Sequence, residues 1–240
     1  MRKSVIYLTV FLSSLIISSN APGNEDFLLP SHSGSDYDEN FDVVYYGLDL
    51  NISDSSTYLQ GSVSIHIFLL DQSSTRVAFD MSDSLSADSV RINNDPAGFS
   101  HTGNRISIDL PVLAMPGALL EVDIFYHGLG NNTGPVTGIY NKNNTAWDKR
   151  ITWTLSEPFA AMNWFPCKQS LTDKADSVYV FLSTDKRLKA GSNGKLTASV
   201  SLPGDRVRYE WKCRYPIDYY LISFAVGDYM DYSFYARLDG

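Results

Sequence analysis

The chain has 240 residues, of which 44% are hydrophobic and 19% charged. That is enough to bury a sizeable core, and it excludes both a disordered acidic tail and a bundle of membrane helices. Nineteen Lys and Arg against 27 Asp and Glu leave a net charge of −8, which argues against a general nucleic-acid binder because phosphates call for a basic face.

The N-terminus reads as a secretory signal peptide over residues 1–23. Arg2 and Lys3 supply the positive start, Val5 to Ile17 the apolar run, and Ser18, Ser19 and Ala21 the small residues before cleavage. The run is shorter than the ~20 apolar residues of a spanning helix, so no permanent membrane anchor is expected. Its loss removes two positive charges and no acids, leaving an acidic, exported chain that is secreted, periplasmic or held at the cell surface. Residues 24–40, polar apart from Phe27, Leu28 and Leu29, read as a flexible leader.

Strands dominate from there. Val44, Tyr46, Leu48, Leu50 and Ile52 alternate with polar residues and predict one face on a core, and Leu59, Val63, Ile65, Ile67 and Leu69 predict the second arm of a hairpin. His66 falls on the opposite, solvated or cross-strand face. Further strands are expected at 76–80, 89–92, 106–110 and 120–126, separated by turns at 93–96 and 101–104. Gly128 to Lys149 is rich in Gly and Asn and reads as a loop, the place where two subassemblies would hinge. A second run of strands follows at 151–155, 178–182, 196–201, 207–211 and 221–229. No helical period appears after the signal, so the predicted fold class is all-β, with stacked sheets in the manner of a sandwich.

Several chemistries lack their residues. There is no His-Glu-x-x-His, no two His stand at metal-ligand spacing, and no Gly-x-Ser-x-Gly elbow offers a nucleophile. Cys167 and Cys213 are equally compatible with a disulfide and with two separate thiols, because spacing alone does not set their distance. Trp147, Trp153, Trp164 and the Tyr-rich stretch Tyr215 to Tyr235 would supply the platform of a free-standing glycan- or protein-binding module, although their strand periodicity favours core packing.

One segment stands apart. Thr154-Leu155-Ser156-Glu157-Pro158 leaves a strand and runs through Phe159-Ala160-Ala161-Met162 into Phe165-Pro166-Cys167, and Lys174-Ala175 then opens the next strand. This order resembles the N-terminal β domain of M1-family zinc aminopeptidases, with its Thr-x-x-Glu-Pro-x-x-Ala-Arg segment and Phe-Pro-Cys loop. Tyr45 to Leu50, Gly191 to Gly194 and Trp211 to Tyr229 support the match, which covers about 200 residues from Tyr37 to Gly240, looks closest to secreted bacterial members, and places the β domain at 41–240. Met162 stands where Arg is usual in that family, and Lys168-Gln169-Ser170 replaces the common Phe-Asp-Glu.

The resemblance implies an open, saddle-like domain that caps the substrate cleft of a thermolysin-like catalytic domain, its expected partner. It also implies that zinc belongs to that following domain. No cofactor and no catalytic residue are therefore expected within these 240 residues, which read as a fragment or truncated product inactive alone. The one candidate site residue is Glu157, whose carboxylate would receive the protonated amine of a peptide N-terminus.

Overall fold

The computed structural model describes residues 40–134, 137–145 and 148–230. The expected signal peptide, the leader up to residue 39, Trp147 and the chain beyond Met230 lie outside the described residues. Two long strands come first, β1 (Phe41–Ile52) and β2 (Tyr58–Leu69), followed by β3 (Ser74–Asp80) and β4 (Leu85–Ile92). Then come β5 (Asp95–Pro96), β6 (Phe99–Thr102), β7 (Arg105–Ala114), β8 (Leu119–Leu129), β9 (Asn132–Gly134), β10 (Thr137–Asn144) and β11 (Lys149–Leu155). After a 3-10 turn at Ala161–Asn163 lie β12 (Lys174–Ala175), β13 (Ser177–Asp185), β14 (Lys189–Ser192), β15 (Lys195–Leu202), β16 (Arg206–Cys213) and β17 (Ile217–Asp218). A second 3-10 turn at Tyr219–Leu221 precedes β18 (Phe224–Gly227). No α-helix occurs among the described residues, as the all-β reading expected.

An eight-stranded sheet in the order β15-β16-β13-β1-β2-β8-β4-β5 forms the largest layer. Its pairs are antiparallel except β1 with β13, which run parallel. The inner face follows from period-two burial: Leu48 and Leu50 on β1, Leu59, Val63, Ile65 and Ile67 on β2, and Val122, Ile124 and Tyr126 on β8 are all buried. Val77, Phe79, Ile106 and Ile108 of the three-stranded sheet β3-β7-β6 join the same core, as do Ile139 and Phe224 of the five-stranded sheet β14-β18-β11-β10-β9. Two tight hairpin turns are built on left-handed backbone, at Asn93-Asn94 (φ 51° and 74°) and Gly103-Asn104 (φ 64° and 60°). They are the residue types that such turns favour, because their twist matches that of the flanking strands.

Three sequence expectations are corrected. Val44 does not share the core face of Tyr46 and Leu48: the β1–β2 register shifts between Val43 and Tyr45, so Phe41 and Val43 are buried before this bulge and the even positions after it. Gly128 to Lys149 is not a loop hinge. It contains the end of β8, β9 and β10, and β10 pairs with β11 from Gly138↔Leu155 to Asn144↔Lys149. The polar second half of β10 hides its strand character, which comes from that pairing and from Tyr140 stacked on Trp153 with ring centroids 4.6 Å apart. The described residues as far as Tyr229 accordingly belong to one compact unit. The expected strand at 221–229 shrinks to β18, because Tyr219–Leu221 turns instead.

Candidate functional site

β11 lies in the middle of its sheet, between β10 and β18, and delivers the chain to Glu157. Its pairing with β18 runs from Ile151↔Gly227 to Trp153↔Ala225. One residue further, the buried Thr154 takes over with its side chain: Oγ1 accepts the Phe224 N–H at 3.0 Å. Ser156 is buried as well, and its Oγ accepts the indole N–H of fully buried Trp164 at 2.9 Å. The Ser156 carbonyl accepts the Ala160 N–H at 3.1 Å, closing the turn that carries Glu157 at its crest. The Glu157–Pro158 peptide bond is cis, and the Pro158 carbonyl accepts a hydrogen bond from the Tyr219 hydroxyl.

The far side of the loop is tied down just as closely. The Tyr126 hydroxyl donates to the Trp164 carbonyl at 3.1 Å, and the Met162 and Asn163 carbonyls accept the N–H groups of Ser82 and Asn131, each at 3.0 Å. Asp80 and Cys167 exchange backbone hydrogen bonds of 2.8 and 3.0 Å. Trp164 meets Phe224 edge-on at 5.2 Å, and Phe165 meets Tyr46 edge-on at 5.8 Å. Glu157 is the exception in this buried setting. Its side chain is exposed, and among the described residues nothing pairs with its carboxylate. Long-range hydrogen bonds on both sides thus fix the backbone that carries Glu157 and leave its carboxylate free to take a cationic partner.

The departures from the family pattern acquire partners of their own. Met162 packs against the core, and its N–H donates to Gln169 Oε1 at 3.3 Å. Lys168 is buried and forms an ion pair with buried Asp173 at 2.5 Å. Its Nζ also donates to the Phe41 carbonyl and stands 4.7 Å from the centre of the Phe41 ring. Asp173 in turn accepts the Val43 N–H beside the β1 bulge. Sequence reading did not find this pair, because its anchor is more than 120 residues upstream.

Cys167 and Cys213 are free, which decides the alternative that spacing left open. Cys167 is buried, and burial followed by the nearby Asp80 charge pushes its thiol well above the usual range, leaving it unreactive. Burial does the same to the hydroxyls of Tyr46, Tyr126 and Tyr219. The aromatic platform is largely spent on packing: Trp164 is fully buried and Trp153 is stacked on Tyr140. Among the described residues no three of His, Cys, Asp and Glu converge as the donors of a metal would.

An all-β domain of stacked sheets, with an exposed acid on a loop tied down from both sides, is the class of protein these features define. A model of the peptidase M1 N-terminal domain matches residues 42–221, and the chain belongs to that family. A comparison with curated protein sequences found no match. Among solved structures, the chain is similar to the M1 zinc metallopeptidase from Deinococcus radiodurans, with a TM-score of 0.71 and 20% identity over 78% of this chain and 42% of that one. A mutant of that enzyme bound to a Tyr-Ser-Ala substrate gives 0.70 and 19% over 79% and 43%. Yeast LTA4 hydrolase in complex with bestatin gives 0.62 and 21% over 83% and 32%. The chain therefore spans less than half the length of these relatives, and at such identities the likeness is one of fold.

Proposed function

We propose that this domain forms one wall of the substrate cleft of an exported M1 zinc metallo-aminopeptidase and that Glu157 receives the protonated α-amine of the peptide. The observation that carries this reading is the exposed Glu157 carboxylate, unpaired among the described residues, on a loop fixed by Thr154, Ser156, Trp164 and Tyr219. An aminopeptidase has to recognise a cation at the end of its substrate, and a carboxylate on a fixed backbone, with no competing partner, is suited to meet it. A peptide as ligand agrees with the Tyr-Ser-Ala substrate on the Deinococcus radiodurans relative. The bond-breaking chemistry, with its zinc, is assigned to a catalytic domain that partners this one. This domain orients the substrate and does no chemistry by itself. Export by a signal over residues 1–23 belongs to the same reading.

The test is kinetic. With the domain joined to an M1 catalytic domain, Glu157→Ala should lower kcat/KM for aminoacyl substrates roughly 10- to 150-fold, the worth of about 1.5–3 kcal/mol for a charge-assisted contact. The melting temperature should stay unchanged, since the side chain faces solvent. Unaltered kinetics would remove Glu157 from the site. Zinc-dependent turnover by residues 24–240 alone would overturn the division of labour.

A further inference from the structure

The eight-stranded sheet ends on one side in β5, two residues long, and on the other in β15, which runs from Lys195 to Leu202. Pro96 has no N–H to offer, so β5 closes its edge, whereas β15 leaves one open. Among the described residues β15 is the longest strand at any sheet edge. From Leu196 to Leu202 it contains neither charge nor proline. Natural edges of this length are usually blunted by one or the other.

The strand also stands clear on both faces. Its register with β16 sets Ala198, Val200 and Leu202 beside Glu210, Arg208 and Arg206 on the outer face, and Ser199 and Ser201 beside Tyr209 and Val207 on the inner. The second layer reaches β16, where the Tyr209 hydroxyl and the Trp211 indole N–H donate to the carbonyls of Leu188 and Ala190. It does not reach Ser199 and Ser201, which are exposed. On the outer face the β16 cations lean inward, away from the edge. Arg206 donates to Asn51 Oδ1, and Arg208 pairs with Asp49 at 3.1 Å and lies over the Phe181 ring at 4.5 Å. Val200 beside them remains 42% exposed. The register shifts between Leu196 and Ala198, so the regular run of the edge is Ala198 to Leu202.

We infer that β15 pairs with β15 of a second copy of this chain, antiparallel about a twofold axis at Val200, so that two large sheets join into one. The strand is complementary to itself in that register. Val200 meets the partner's Val200, small Ala198 meets the partner's larger Leu202, and Ser199 meets the partner's Ser201. Apolar side chains then gather on the outer face and hydroxyls on the inner. The same register carries exposed Lys195 of each copy towards the partner's Asp205 in the turn after β15. The Asp205 side chain is 78% exposed although it pairs with Lys186 at 2.7 Å, which leaves it open to a second cation. An axis at Ser199 or Ser201 would keep the faces matched but move these charges two residues apart. So short a ladder makes a small interface, and the dimer is weak, with a Kd on the order of 10 µM.

Sedimentation velocity on the full chain tests this, in a Cys213→Ser background that removes the half-exposed thiol. The parent should pass from monomer to dimer between about 1 and 500 µM. Val200→Lys sets like charges together on the axis and should stay monomeric throughout, with its melting temperature unchanged because the side chain is exposed. Lys195→Glu should weaken dimerisation about fivefold at low salt and less at high salt. Oxidation reads the register. Val200→Cys should link to itself across the axis, whereas Ser199→Cys should link only to Ser201→Cys in a mixture of the two. A parent that is monomeric up to about 500 µM overturns the inference, whether or not its β15 edge takes up a foreign strand. So does a folded Val200→Lys variant that dimerises as tightly as the parent, or Ser199→Cys linking to itself in preference to Val200→Cys. None of these residues belongs to the Glu157 loop, so the outcome is independent of the peptidase reading.

Discussion

Replacing Lys168 by Met tests the largest electrostatic commitment in the domain. The ammonium is nearly removed from water, with 8% of the Lys168 side chain and 6% of the Asp173 side chain exposed. Its loss strands the Asp173 carboxylate, which retains the Val43 N–H, and also strands the Phe41 carbonyl. Taking one partner from a buried ion pair costs about 3–5 kcal/mol, because the remaining charge stays desolvated. For a domain of this size that corresponds to a fall in Tm of roughly 10 °C. Urea denaturation at pH 7.5 is the assay. Adding Asp173→Asn should restore more than half of the loss, since an amide oxygen can still accept from Val43 while the stranded charge is gone. A K168M protein within about 1 kcal/mol of the parent, or a double variant no more stable than K168M alone, would refute the reasoning.

Alkali should unfold the domain cooperatively. Cys167, Tyr46 and Tyr126 have folded pKa values raised by burial, so their contribution is complete below the unfolded values of 9.0 and 10.0 and is lost as the pH climbs towards the folded ones. Each costs about 1.4 kcal/mol per pH unit, which predicts roughly 4 kcal/mol per unit above pH 10 in urea midpoints converted to free energy; a flat profile to pH 11 would contradict it. Gly61→Ala should be severe, because a Cβ there would sit 1.9 Å from the Asp49 carbonyl oxygen of the neighbouring strand. A loss of about 3 kcal/mol or more, or failure to accumulate as soluble protein, is expected on expression and melting. Ser156→Ala leaves the buried Trp164 N–H without its acceptor and should cost about 1–3 kcal/mol in thermal melts, with tryptophan fluorescence reporting the loosened loop.

How much of this was readable beforehand depended on whether burial was one-sided. β2 and β8 have one face in the core and one in partial contact with solvent, so their alternation shows directly in the residue order. β18 is buried at all four positions and has no alternation to read. The Val44 bulge was hidden because Val43 and Val44 are both apolar, and a one-residue change of phase leaves no mark in such a pair. At the candidate site, the motif singled out Glu157, and the structure ties Thr154 and Pro158 on either side of it to β18 and Tyr219. Lys168 and Asp173 are close in sequence, but their burial rests on Phe41 and Val43 more than 120 residues away, and the separation of the two thiols rests likewise on the fold, which spacing along the chain does not encode.

The parallel pairing of β1 with β13 also sets the order in which the molecule can be finished. β1 can zip against β2 as soon as Leu69 has been made, but its other edge waits for residues 177–183, more than 100 positions later. Throughout that interval the strand carrying Leu48 and Leu50 offers an unpaired row of backbone donors and acceptors, a template for any extended chain nearby. Closing so long a loop is slow, because its entropy is spent before the ladder repays it. Chains halted anywhere between β2 and β13 should therefore aggregate far more readily than chains halted after β16, a gradient that a truncation series read by sedimentation would display.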